Sequence, residues 1–316
     1  MKKLWTKDFT LITAGTVVSA IGGEAISLPI SLLVFDKTGS TLLSALLFIA
    51  GFVPDIFLSV LIAPLIDRSK KKRIVVGMDV LMGVLFLLAG LTVARQEFSY
   101  VLYMIMMLIL GLLSLIYRLA FNAWYPDLIT PGLEQKGYAV SSTIYPTVMI
   151  VMAPVAAFLY KTVPIDWIFL FMGVMLLITA TFEFFITEDV PKPAGALTLA
   201  SYLEDLKGGF QFLKDEKGLR NIYAYLGVSN GFSMGNWLMY QAFFQTSPLL
   251  GVTLFGFLRS AETLGRAIGG VLQYRIEVDP KKRYGFTKFV YTIYEAIDMT
   301  MLFLPYPLML VGRFLC

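Results

Sequence analysis

Between Leu42 and Ile66 the only ionisable side chain is Asp55, and between Ile74 and Ala94 it is Asp79. Apolar runs of this length limit the possible folds more than any other feature of the chain. A bilayer core about 30 Å thick is crossed by roughly 20 residues of helix, and the pattern recurs from one end of the sequence to the other. Spans are expected at 9–35, 41–66, 74–94, 99–121, 137–160, 165–187, 219–245, 251–273 and 285–304, with a tenth beginning near 307. Only 15% of the residues are charged and 57% are hydrophobic, with a mean hydropathy of +0.74; soluble domains average about 25% charged residues. Backbone groups in lipid need partners inside the span itself, which helices supply, whereas closed barrels show short alternating segments. The chain therefore reads as an all-α polytopic membrane protein.

The same composition removes several chemistries. The chain has no histidine and a single cysteine, Cys316, so it has no histidine metal site, no histidine base and no internal disulfide. A phosphate-binding G-x-x-x-x-G-K-[ST] is absent, which removes ATP as a direct driver. A membrane-embedded enzyme needs an Asp cluster or a histidine set, and neither is visible, so no enzyme activity, metal or cofactor is expected. The net charge of +4 points to no nucleic acid, because the positive residues gather in alternate loops. Lys2, Lys3 and Lys7 precede a first apolar stretch too long for a signal-peptide core, which reads as an uncleaved span.

The loops set the orientation. Lys2, Lys3, Lys7, the knot Arg68–Arg73, Lys136, Lys192, Lys207, Lys214, Lys217, Arg220, Arg275, Lys281–Arg283 and Lys288 fall on one side. The opposite loops carry Lys37, Arg95 and Lys161. The positive-inside rule puts the N-terminus and the longest connection, about 188–218, in the cytoplasm of a cell-membrane protein. That connection opens with Pro191–Gly195. It continues as YLEDLKGGFQFLKDEKG at 202–218, where Leu203, Leu206, Phe210 and Leu213 recur at helical steps. An amphipathic helix on the membrane surface is expected, weakened in its middle by Gly208 and Gly209.

The short loop after the second span reads APLIDRSKKKRIVVGMD at 63–79. Asp67, Arg68 and the run Lys71–Lys72–Arg73 resemble the loop between the second and third helices of the major facilitator superfamily, roughly G-x-x-x-D-R-x-G-R-R/K; Ala63 and Lys70 stand where that family usually has glycine. FDKTGST at 35–41, the proline–aspartate–leucine of FNAWYPDLITPG at 121–132 and LKGGFQFLKDEKGLR at 206–220 resemble the drug-efflux and siderophore-export branch, which includes macrolide-efflux and enterobactin-exporter proteins. The loop motif has a weak second copy, Gln273–Arg275 followed by Pro280–Arg283, as two repeated halves require.

The resemblance implies a superfamily fold with a first six-helix half at 1–187, a cytoplasmic linker at 188–218 and an incomplete second half of about three and a half helices at 219–316. Two six-span halves need roughly 400 residues, and the sequence stops inside an apolar run at Val311–Cys316. A truncated reading frame or partial sequence is expected, with a natural nine- or ten-span protein as the alternative.

Ionisable groups inside spans are costly and should face a cavity or a partner. Glu24, Asp55, Arg259, Glu262, Arg266, Glu295 and Asp298 are the candidates for a coupling site or substrate cavity. Glu24 leads, since no basic residue stands near it in its own span. Arg259, Glu262 and Arg266 share one helix face, either as part of the cavity or as a structural ion cluster holding helices together. Arg118, near the cytoplasmic end of its span, reads as a snorkelling structural residue. The resemblance also implies a cytoplasmic gate of Asp67, Arg68, Lys72, Arg73, Asp79 and Asp127, in which Asp67 meets a helix N-terminus and Arg68 or Arg73 pairs with Asp127; the bland reading is that the basic knot only fixes topology. Tyr145, Tyr240, Phe243 and Phe244 are candidates for an apolar cavity lining, and Trp5, Trp124 and Trp167 for interfacial anchors.

By this reading the chain is a monomeric secondary transporter whose partners are the lipid bilayer, protons and a small hydrophobic substrate exported by alternating access. A nutrient or lipid transporter of the same fold and an inactive fragment stand as alternatives.

Overall fold

The computed structural model describes residues 3–95, 98–187, 198–247, 249–275, 279 and 282–315. The linker start Pro191–Gly195, Pro280 and Lys281 of the second basic loop, and Cys316 lie outside the described residues. Every regular element among them is helical: α1 Lys7–Thr38, α2 Thr41–Asp67, α3 Lys71–Val93, α4 Tyr100–Trp124, α5 Glu134–Thr162, α6 Ile165–Phe184, α7 Leu199–Asp215, α8 Lys217–Thr246, α9 Gly251–Arg275, α10 Arg283–Thr300 and α11 Tyr306–Leu315. Short 3₁₀ turns follow α4 at Tyr125–Leu128 and α10 at Met301–Phe303.

Local chemistry explains the boundaries. Thr6 caps α1 by accepting the Phe9 N–H at 3.2 Å. The Thr38–Gly39–Ser40 triplet ends one helix and starts the next. Gly39 takes a left-handed φ of 63° and its N–H donates to Phe35 O at 2.7 Å, a conformation that costs glycine nothing. Ser40 then caps α2 by accepting the Leu43 N–H at 3.3 Å. The linker helix runs unbroken through Gly208 and Gly209 and ends at Asp215, three residues before the expected end, with α8 restarting at Lys217.

Five helices among the described residues are long and apolar enough to cross a membrane: Lys7–Ile26 of α1, Leu42–Asp67 of α2, α3, α4 with its 3₁₀ turn, and α6. The other expected spans form helices as well. Among the described residues α9 and α10 fall short of the apolar length of a crossing helix, since α9 carries Arg259, Glu262, Arg266 and Gln273, and α10 carries Lys288, Glu295 and Asp298.

The chain divides into two compact units, Met1–Gly137 with Val151–Lys207, and Tyr138–Ile150 with Gly208–Cys316. In the first, α6 packs on α1 and α3, and α4 on α2 and α3. Its core holds Ile26, Ile30, Val34, Leu47, Met82, Phe86, Tyr103, Phe169 and Leu176. The α3–α6 contact is close because two glycines face each other. A Cβ on Gly83 would lie 3.1 Å from Gly173 O, and one on Gly173 only 2.8 Å from Gly83 O. Small residues at such crossings bring backbones together where lipid offers no hydrophobic driving force. In the second unit α9 packs on α8 and α11, around Tyr240, Phe244, Phe255, Leu258, Met301 and Met309. Outward-facing apolar side chains such as Phe52, Ile56, Phe57, Leu88 and Phe158 are exposed, as lipid-facing positions are.

Candidate functional site: three groups of intramembrane and loop charges

The first group is built on the loop between α2 and α3. Arg68 follows the last residue of α2, and its Nε and NH2 both donate to the Asp205 carboxylate of α7, the second at 2.8 Å. This bidentate pair fits the fixed fork of the guanidinium. It holds the Asp205 carboxyl below the ordinary carboxylate range and Arg68 above its own. Tyr202, on the same stretch of α7, donates to Leu61 O at 2.9 Å. Lys71 donates to Ala123 O at 2.8 Å and to Asp127 at 3.3 Å, tying α3 to the end of α4. Lys72 donates to Ile186 O at 2.7 Å, tying α3 to the end of α6, and stands over the Phe184 ring.

The loop thus joins four helix ends. The partner of Asp127 is Lys71, not Arg68 or Arg73, because Arg68 is turned to Asp205 of the linker helix. Arg73 and Asp67 are exposed.

Asp79 belongs elsewhere. It lies two turns into α3, buried to 1% exposure, opposite Glu183 of α6, which is fully buried. The Glu183 Oε1 accepts from the Tyr117 hydroxyl of α4 at 3.2 Å. Gly15 of α1 closes the fourth side; a Cβ there would lie 3.8 Å from the Glu183 Cγ. Both oxygens of Asp79 and Oε2 of Glu183 have no hydrogen-bond donor.

Asp55 of α2 and Arg118 of α4 form an ion pair. Arg118 keeps half of its side chain exposed, as its snorkelling predicts, while its head group is also the counter-charge for the candidate Asp55. Glu24 is half-buried in α1.

The third group lies in the second unit. Asp298 of α10 is 3% exposed and accepts from Arg313 at 2.6 Å, Asn236 at 2.7 Å and the Tyr240 hydroxyl at 3.0 Å. Arg313 of α11 reaches the other way to Glu262 of α9 at 2.8 Å, and Glu262 also pairs with Arg266 at 2.5 Å. The Arg313 guanidinium lies 5.3 Å from the centroid of the Tyr240 ring. Glu295 accepts from Ser229 of α8. Arg259 and Arg266 are exposed. The centre of this network is Arg313, which joins Glu262 and Asp298. It lies in the last turn of α11, and nothing in that local sequence marks two acidic partners on two other helices.

Among the aromatic candidates, Tyr240 and Phe244 are core residues, while Phe243 and Tyr145 are exposed. Trp5 and Trp167 are exposed at helix ends; Trp124 is buried to 1%, so it is not an interfacial anchor.

Comparison with known proteins agrees with this architecture. A sequence profile of the Major Facilitator Superfamily matches residues 12–315. Macrolide efflux protein A of Streptococcus pyogenes is 24% identical over 217 residues, 68% of this chain and 53% of that protein. The same-named protein of S. pyogenes serotype M6 matches to the same extent. The chain spans about half the length of these curated relatives. With an all-helical fold of membrane-length apolar helices, charged groups buried between them, and a family match from the first helix to the last, this chain belongs to the Major Facilitator Superfamily.

Proposed function

We propose that the chain acts in proton-coupled export of a small hydrophobic compound by alternating access, as a multi-pass protein of the cell membrane with a cytoplasmic N-terminus. The observation that carries this reading is the family match over residues 12–315, joined to the similarity to a protein named for macrolide efflux. The excess of Lys and Arg in the loops on the N-terminal side supports the orientation. The ties from Arg68 to the linker helix, from Lys71 to the end of α4 and from Lys72 to the end of α6 support a gating role for that loop beyond topology.

Coupling needs an acid that changes protonation during the cycle. Glu24 remains our candidate, about 26 Å along α1 from Lys7 at 1.5 Å per residue. The Glu262–Arg313–Asp298 network is the part of the second unit that could contact a polar group of the substrate. Its closed pairing gives it a structural role as well, since each charge is compensated within the protein.

The test is a flux measurement in inside-out membrane vesicles containing the protein. A radiolabelled macrolide should accumulate when a proton gradient is imposed and leak away when nigericin collapses it. Uptake of a nutrient or lipid in the opposite direction would replace this reading with that of an importer.

A further inference from the structure

Asp79 and Glu183 are the buried carboxylic acids of the first unit among the described residues. They come from different helices, and the Asp79 carboxyl is within hydrogen-bond reach of Glu183. An ionised carboxylate only accepts hydrogen bonds. Three of the four oxygens here find no donor from the protein, and the fourth has Tyr117. Two buried like charges sharing one site cannot both ionise at neutral pH. A single acid proton turns one acceptor into a donor and completes the bond between the two groups.

The other ionisable groups around the pair are engaged or remote. From α1, Asp8 accepts the Thr187 N–H at 3.0 Å, Lys7 is exposed, and Glu24 lies about 14 Å farther along the helix than Gly15. From α4, Tyr117 faces the pair and Arg118 is turned to Asp55. On α3, Lys71 and Lys72 are bonded to Asp127, Ala123 O and Ile186 O, and Arg73 is exposed. On α6, Asp166 sits at the opposite end. Among the described residues no Lys or Arg bonds to either acid.

We propose that Asp79 and Glu183 form a proton-binding site in which one proton is shared between the two carboxyl groups across the α3–α6 interface. Loss of that proton breaks an O–H bond, delivers the proton to solvent and leaves two like charges between two closely packed helices. The α3–α6 contact loosens as a result. Since α3 also carries Lys71 and Lys72, proton release here would loosen the ties at the helix ends. That use of the site rests on the proposed function; the binding of the proton does not.

The experiment is infrared spectroscopy of the purified full chain in lipid. Wild type at neutral pH should show the carbonyl stretch of a protonated acid, shifted in D₂O, and raising the pH should remove it. Asp79→Asn and Glu183→Gln should each lose that band at neutral pH, because the new amide donates to the remaining carboxylate and holds it ionised. The isosteric Glu183→Gln keeps an oxygen for Tyr117 and covers the case in which Asp79→Asn does not fold. A band unchanged in both single variants would overturn the proposal, as would a wild-type band controlled by sodium concentration and not by pH. A variant-sensitive band in a protein that moves no macrolide would count against the export reading alone. Macrolide transport without the band would count against the proton site alone.

Discussion

Arg313 is compensated by two acids, Glu262 and Asp298, that no other described contact fully satisfies. Replacing it with Met removes the charge but not the bulk, leaving the buried Asp298 carboxylate with only neutral donors and Glu262 with Arg266 alone. Breaking a buried ion pair in this way costs about 3–5 kcal/mol, so Arg313→Met should lower the unfolding temperature of the detergent-solubilised protein strongly. Asp298→Asn should cost less, because Asn236 and Tyr240 remain as partners; equal melting of wild type and Arg313→Met would show that the network contributes nothing. The acids of the second unit, Glu262, Glu295 and Asp298, stand out in the sequence because an ionisable residue in an apolar run is conspicuous. Their partners do not stand out. Glu183 escaped notice because it lies in the last turn of its helix, where a charge reads as a span boundary, and its counterpart Asp79 is on a helix elsewhere in the chain. Pairing across helices leaves no mark in local periodicity.

At the scale of elements, the turns and helix ends were legible, since Thr38–Gly39–Ser40 and the proline–aspartate–leucine turn act through local backbone chemistry. The crossing of α3 and α6 was not, because glycine in an apolar run gives no indication of what it faces. Gly173→Ala should destabilise the first unit by about 1–3 kcal/mol through overpacking against the Gly83 backbone. Gly77→Ala, on the same helix as Gly83 but with nothing within 4 Å of the new Cβ, should change stability by less than about 1 kcal/mol. Thermal melts of the two variants separate these outcomes, and equal shifts would refute the close-contact account. The linker helix offers a pH test. Arg68 holds the folded-state Asp205 carboxyl below its ordinary range. The stabilisation is therefore full above the unfolded-state value and is lost as the pH falls through the folded-state value. Limited proteolysis within Leu199–Asp215 should accelerate on acidification, and Asp205→Asn should be cleaved at neutral pH as fast as the acidified wild type. Cleavage of Asp205→Asn at the wild-type rate would mean that the ion pair does not hold the helix.

For the whole molecule, the all-helical membrane class was readable from hydropathy, because lipid leaves a chain few ways to satisfy its backbone, while the family was readable only through the resemblance carried by the motifs at 35–41, 63–79, 121–132 and 206–220. The polar helices of the second unit were harder to place, since their charges are neutralised by one another and not by an apolar face. Orientation is tested by cysteine labelling in a Cys316→Ser background: Lys71→Cys and Ser201→Cys should be protected from an impermeant reagent in intact cells, and Lys37→Cys should react. Labelling of Ser201→Cys from outside would reverse the topology. The most direct test of proton-coupled export is to follow protons and substrate together in proteoliposomes with a pH-sensitive dye inside. A macrolide gradient alone should drive a proton flux of opposite direction across the membrane. Glu24→Gln should abolish that flux while leaving substrate exchange between equal pools intact, since exchange needs the conformational cycle but no net proton movement. Macrolide movement with no accompanying proton signal in the wild-type protein would contradict the account.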